Sequence, residues 1–135
     1  MEREIKFRGH KCQGGGEWIY GNCLMQNNAG TRYISNDIAP SKTNDENYSE
    51  VVHVGQFIGL TDKNGKDIYE GDILKGFDMK ILVEFKYGMF GYQTKFFGFI
   101  RFGGNHNFQF QPNGIDENFE VIGNKYDNKE LLKGE

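Results

Sequence analysis

Residues 79–86 of this 135-residue chain alternate in chemistry along their length: Met79, Ile81, Val83 and Phe85 stand on one side, Lys80, Glu84 and Lys86 on the other. A period of two is that of a β-strand, whose successive side chains point to opposite faces; a helix would need apolar positions three and four apart. The segment therefore reads as a strand with one face in a core and one toward water. The residues on either side must then supply partner strands.

Turn chemistry marks those partners. Asp62-Lys63-Asn64-Gly65 supplies residues that tolerate positive φ, which predicts a hairpin between residues 51–59 and 66–70. Gly71-Asp72 turns the chain into Ile73-Leu74-Lys75, and Tyr87-Gly88 leads into residues 89–94. Nearer the N-terminus, alternation over 4–8 and an apolar run over 17–25, separated by Gly14-Gly15-Gly16, predict another hairpin. Residues 32–35 read as a short strand and 119–124 as the last one. The tail from Asp127 to Leu132 reads as a single helical turn. Asn36 to Glu50 is polar, with Pro40, Ser41, Asn44, Asp45, Glu46 and Asn47 crowded together, and reads as a mobile loop.

Composition agrees with a β protein, because strands use aromatic residues and tight turns use glycine: 19 Gly, 12 Phe and 7 Tyr stand against 2 Pro and 1 Trp. The expected fold class is mainly β, with short antiparallel strands and hairpins and a short C-terminal helical turn. A chain of this length is expected to form one domain over 1–135, with sub-parts at 1–54 and 55–135.

A formal net charge of -3 and a pI near 5.6 give no general attraction to polyphosphate. No apolar run approaches the roughly 20 residues of a membrane span, and no apolar block follows the charges of the N-terminus. The expected compartment is the cytosol, where Cys12 and Cys23 would be free thiols.

Motifs for chemistry are weak throughout. His10-x-Cys12 with Cys23 and His53 offers zinc-type ligands, without Cys-x2-Cys or His-x3-His spacing. Asp62 to Asp67 has its glycine three positions after the first Asp, whereas a calcium loop needs it at five. Gly59 and Gly65-Lys66 fail as a phosphate loop, since Asp67 stands where Ser or Thr should bind magnesium. None of Ser35, Ser41 and Ser49 lies in a nucleophile elbow. Cys12 or Cys23 with His10 or His53 is the remaining nucleophile pairing. Glu70 and Asp72 read more simply as a solvated turn than as a catalytic pair. No cofactor, no metal and no enzymatic activity are expected.

The run Gly55-Gln56-Phe57-Ile58-Gly59-Leu60-Thr61-Asp62-Lys63-Asn64-Gly65-Lys66-Asp67-Ile68-Tyr69-Glu70-Gly71-Asp72-Ile73 resembles the signature of the YopX family. The opening, Ile5 to Gly9 with Gly16 to Gly21, and the ending, Glu120 to Asn124 with Leu131-Leu132, are similar to that family's ends. Residues 28–50 and 87–118 carry no such likeness, and Lys125 and Lys129 stand where the family pattern has Ile and Pro. The resemblance implies a phage or prophage origin, a β-rich fold whose later half is similar to an SH3-like barrel, and no established activity. It brings no catalytic residues with it.

Residues 96–102 carry large apolar groups on both faces. In a strand Phe97 and Phe99 would share one face, and Phe96, Ile100 and Phe102 the other. One core can take only one set, so the other needs cover from a second copy of the chain, from residues 103–118 or from the tail. This stretch is the expected interaction surface, and a protein partner or self-association is the expected mode of action. The alternative is a nucleic-acid-binding module, in which Lys75, Lys80, Lys86, Lys95 and Arg101 would flank Phe77, Phe85, Tyr87, Tyr92 and Phe96 as a stacking platform. Its signature would be Lys80, Lys86, Lys95 and Arg101 on one exposed face.

Overall fold

The computed structural model describes residues 5–12, 17–35, 49–94, 98–102 and 118–132. The chain divides into two compact units, Met1–Phe57 and Ile58–Glu135. The described parts of both are built from antiparallel strands, as the alternation and turn chemistry predict, and a 3-10 turn follows at Lys129–Leu132. None of the described helices is long and apolar enough to cross a membrane.

The first unit contains β1 (Phe7–Lys11), β2 (Trp18–Gly21), β3 (Cys23–Gln26), β4 (Arg32–Ser35) and the start of β5 (Ser49–Thr61). Their order in the sheet is β2-β1-β5-β4-β3. The N-terminal hairpin pairs Phe7 with Gly21 and His10 with Trp18, so its first strand lies three residues later than its apolar pattern suggests. Gly9 permits this, since a Cβ there would lie 2.7 Å from Val51 Cβ. Residues 17–25, read as one strand, break at Asn22 into β2 and β3, which are the two edges of the sheet. Because one residue separates those edges, the sheet must curl. Gly21 then comes so close to β4 that a Cβ would lie 2.5 Å from the Ser35 carbonyl oxygen. Ile34, Val51 and Phe57 are buried. Ser49 and Glu50, read as loop, begin β5 instead; residues 36–48 of the expected mobile loop lie outside the described residues.

A bulge interrupts β5 opposite Gly9. Arg8 pairs with Gly55 and His10 with Val52, which leaves two residues of β5 against one of β1, and His53 takes φ 55°. Bulges of this kind bend a strand and re-aim a side chain.

In the second unit the end of β5 turns at Asp62 to Lys66 into β6 (Asp67–Tyr69). There follow β7 (Asp72–Gly76), β8 (Met79–Leu82), β9 (Glu84–Lys86), β10 (Met89–Gln93), β11 (Phe99–Arg101) and β12 (Glu120–Asn124). They make two three-stranded sheets, β12-β7-β8 and β11-β10-β9. The alternating segment 79–86 is thus two strands and not one. Val83 stands at the junction, its N–H donating to the Asp72 carbonyl (2.9 Å) and its own carbonyl accepting from Gly71 (2.8 Å). The chain bends there to pass from one sheet to the other. Ile81 and Val83 reach the core as the pattern requires, while Met79 and Phe85, at the outer ends of the run, remain exposed.

The core of this unit is Ile58, Ile68, Leu74, Ile81, Val83, Tyr92 and Phe119, with Phe90, Ile100, Phe102 and Val121 packed around it. Ile68, Leu74 and Val83 are fully buried. Each such side chain contributes about 1.5–3 kcal/mol relative to exposure.

Candidate functional site

The residues that carry the family resemblance turn out to hold turns together. Asp62 Oδ1 accepts the N–H groups of Asn64 (2.8 Å) and Lys66 (2.9 Å), and Oδ2 accepts that of Val121 in β12 (2.9 Å). Burial alone would raise the Asp62 carboxyl, but the three backbone donors and the nearby Lys66 charge hold it below the ordinary aspartate value. Asp72 Oδ2 accepts from the Tyr69 N–H at 2.8 Å across the Gly71 turn. Asn124 Oδ1 accepts from Tyr126 and Asp127, and Asn128 Oδ1 accepts from the Asn124 N–H. These carboxylates and amides are engaged by backbone N–H groups, which is what a turn cap does and not how a cation ligand is left.

The candidate metal and nucleophile residues are partly brought together. His10 and His53 meet, Nδ1 to Nδ1, at 3.0 Å. Cys12 is exposed at the end of β1, and Cys23 lies in β3 opposite Ser35. Both thiols are free. Desolvation and the Glu50 carboxylate push the Cys12 thiol up, toward its unreactive protonated form. Among the described residues no three or more His, Cys, Asp or Glu side chains group as metal ligands.

The aromatic stretch divides as strand parity requires. Phe90 pairs with Phe85, Tyr92 with Ile100, and the Phe102 N–H donates to the Phe90 carbonyl, so these residues share a face. Ile100 and Phe102 pack against the core on that face. Phe99 points the other way, onto the outer face with Arg101, Gln93, Gly91, Glu84 and Lys86. Phe96 and Phe97 lie outside the described residues. Phe99 lies over Gly91, where a Cβ would come within 2.8 Å of its ring. Its further cover is Tyr87, ring centroids 5.7 Å apart, with the Lys86 ammonium 5.9 Å from the Phe99 centroid.

Tyr87, which the sequence offers as a turn residue and as one ring of a stacking platform, is the part of this surface that lies outside the expected interaction stretch 96–102. It sits with Gly88 at the two-residue tip joining β9 to β10, both at positive φ (55° and 76°), and is 80% exposed. The tip joining β7 to β8 is built the same way: Phe77 and Asp78 have φ 51° and 61°, and Phe77 is 70% exposed, its edge against Phe119. Such tips prefer Asn-Gly or Asp-Gly, because a left-handed residue with a bulky side chain costs about 1–2 kcal/mol. A Phe and a Tyr run against turn chemistry at these two positions, so although Tyr87-Gly88 marks a turn, the left-handed φ of Tyr87 and Phe77 carries no signal in the sequence.

The four cations of the nucleic-acid reading do not come together among the described residues. Lys86 and Arg101 share the outer face of β9-β10-β11, with Glu84 between them and 3.5 Å from Lys86. Lys80 belongs to the other sheet and donates to the Leu131 carbonyl at 3.0 Å. Lys95 lies outside the described residues.

No curated protein matches this sequence. The family model described as YopX protein matches residues 6–133, nearly the whole chain, and takes in the three blocks of likeness except Ile5. The chain belongs to the YopX family.

Proposed function

We propose that this is a non-enzymatic phage or prophage accessory protein that works in the host cytoplasm through protein contacts, a second copy of itself first among them. The surface that carries the contact is Tyr87 with Phe99 on the outer face of β9-β10-β11. The observation behind this reading is the cost of placing Tyr87: a large aromatic ring at left-handed φ, 80% exposed, at a tip where Asn would be cheaper. Strain of that kind persists where the side chain serves something other than its own turn.

We also propose that the second unit is an SH3-like barrel. In support, β7 pairs with the last strand β12 on one side and with β8 on the other, and the strand bent at Val83 carries the chain from that sheet into β9-β10-β11. Folds of this kind serve many roles, so the contact reading rests on the surface and not on the architecture. The nucleic-acid alternative is less well supported, because Glu84 neutralises Lys86 and the Lys80 ammonium is engaged by the chain.

Sedimentation velocity at micromolar concentration, comparing the wild type with Tyr87→Asn, tests the reading. A wild-type species larger than 15.5 kDa that the substitution returns to a folded monomer is expected. A strictly monomeric wild type would remove self-association.

A further inference from the structure

The Asp62 turn holds a reactive pair that the contact surface does not use. Asn64-Gly65 is one of two Asn-Gly pairs in the chain; the other, Asn113-Gly114, lies outside the described residues. Asparagine is a thermolabile residue, and a following glycine makes it most so, because no side chain shields the backbone nitrogen that attacks it. Asn64 and Gly65 are both exposed, and beyond the chain neighbours nothing among the described residues stands within 4 Å of where a Gly65 Cβ would be. Water and hydroxide therefore have open access to the pair.

The reaction is a cyclisation followed by a hydrolysis. Base takes the proton of the Gly65 N–H, and that nitrogen forms a bond to the Asn64 side-chain carbon Cγ. The bond from Cγ to the amide nitrogen breaks, and the amide nitrogen leaves as ammonia after taking a proton from water. One water then opens the succinimide at either carbonyl, leaving aspartate or isoaspartate at position 64.

The turn stands against the first step. The Gly65 N–H that must lose its proton donates to the Asp62 carbonyl at 2.9 Å. The peptide group that must swing toward Cγ is pinned on both sides, because Asp62 Oδ1 accepts the N–H of Asn64 at 2.8 Å and that of Lys66 at 2.9 Å. A further bond, from the Asp62 N–H to the Lys66 carbonyl (2.8 Å), closes the ends of the turn. Access is open while the geometry is closed, so the pair reacts in molecules whose turn has opened.

We propose that Asn64-Gly65 is a latent deamidation site held closed by Asp62, which records opening of this turn as an irreversible change. Isoaspartate carries the former side-chain methylene into the main chain and lengthens the turn, and aspartate adds a carboxylate beside that of Asp62. Either product weakens the clasp, and with it the Asp62 Oδ2 bond to the Val121 N–H. A converted turn therefore opens more readily than the original.

The test is incubation of the full chain in mildly alkaline buffer, folded and in denaturing urea, with the products mapped by a glutamyl endopeptidase. Cleavage after Glu50 and Glu70 yields a peptide in which Asn64 is the single Asn. Mass gain and ammonia release follow the reaction. Hydrogen exchange at the Gly65 amide is measured in the same two states, since both processes begin with loss of that proton. Deamidation of Asn64 should be slower in the folded chain by roughly tenfold or more, the factor that one hydrogen bond to a charged group supplies, and Gly65 exchange should slow in step. In a folded Asp62→Ala variant this protection should fall by a similar factor. Equal rates at Asn64 in the folded and unfolded wild type, a Gly65 amide that exchanges as in the unfolded chain, or full protection retained by the folded variant would overturn the proposal. The wild-type comparison decides the matter even if the variant does not fold.

Discussion

The Asp62 carboxylate, in the turn after β5, accepts the backbone N–H of Val121 at 2.9 Å, tying a turn to the last strand across 59 residues of chain. The same carboxylate caps its own turn through Asn64 and Lys66. Replacing it by Ala leaves three partly buried N–H groups without their acceptor. Hydrogen bonds to charged groups contribute about 1.5–3 kcal/mol, so Asp62→Ala should lower unfolding stability by about 2–4 kcal/mol, given incomplete additivity. Urea unfolding, with the midpoint falling at unchanged slope, checks this.

That carboxylate also sets an acid limit. Its folded pKa is depressed, so its contribution is fully present above the ordinary aspartate value and is lost as pH falls through the lower folded value. Stability should decline on acidification below about pH 4, and Asp62→Asn should flatten that part of the profile. A wild-type profile no steeper than that of the variant would contradict this.

Gly91 is required by its neighbours and not by its φ. A Cβ there would run into the Ile100 carbonyl oxygen and come within 2.8 Å of both the Arg101 Cα and the Phe99 ring. Backbone across a ladder cannot move aside as a side-chain tip can. Gly91→Ala should therefore cost roughly 1–3 kcal/mol by overpacking and should loosen β10–β11 pairing. Amide exchange at Arg101 and Phe102 is the readout.

Most strands could be read from the sequence because their limits are local. Asn64-Gly65, Gly71-Asp72 and Tyr87-Gly88 each announce a turn, and residues 32–35, 66–70, 89–94 and 119–124 lie close to strands β4, β6, β10 and β12. The misses are non-local. The bend at Val83 depends on bonds to Gly71 and Asp72, and the break at Asn22 on a sheet that curls until its edges meet. The His53 bulge exists only in register with Arg8 and His10. The face of Phe99 followed from parity, but its cover by Tyr87 required a hairpin tip that breaks the usual turn preference.

Thermal unfolding of Tyr87→Asn measures directly whether Tyr87 is kept for contact and not for the fold. Asn relieves the left-handed strain, and the ring it removes is mostly in water, so the melting temperature should stay level or rise by a few degrees, the equivalent of up to about 1 kcal/mol. A fall of several degrees would show that the ring supports the fold through Phe99, and would contradict the reading of this surface as a contact site.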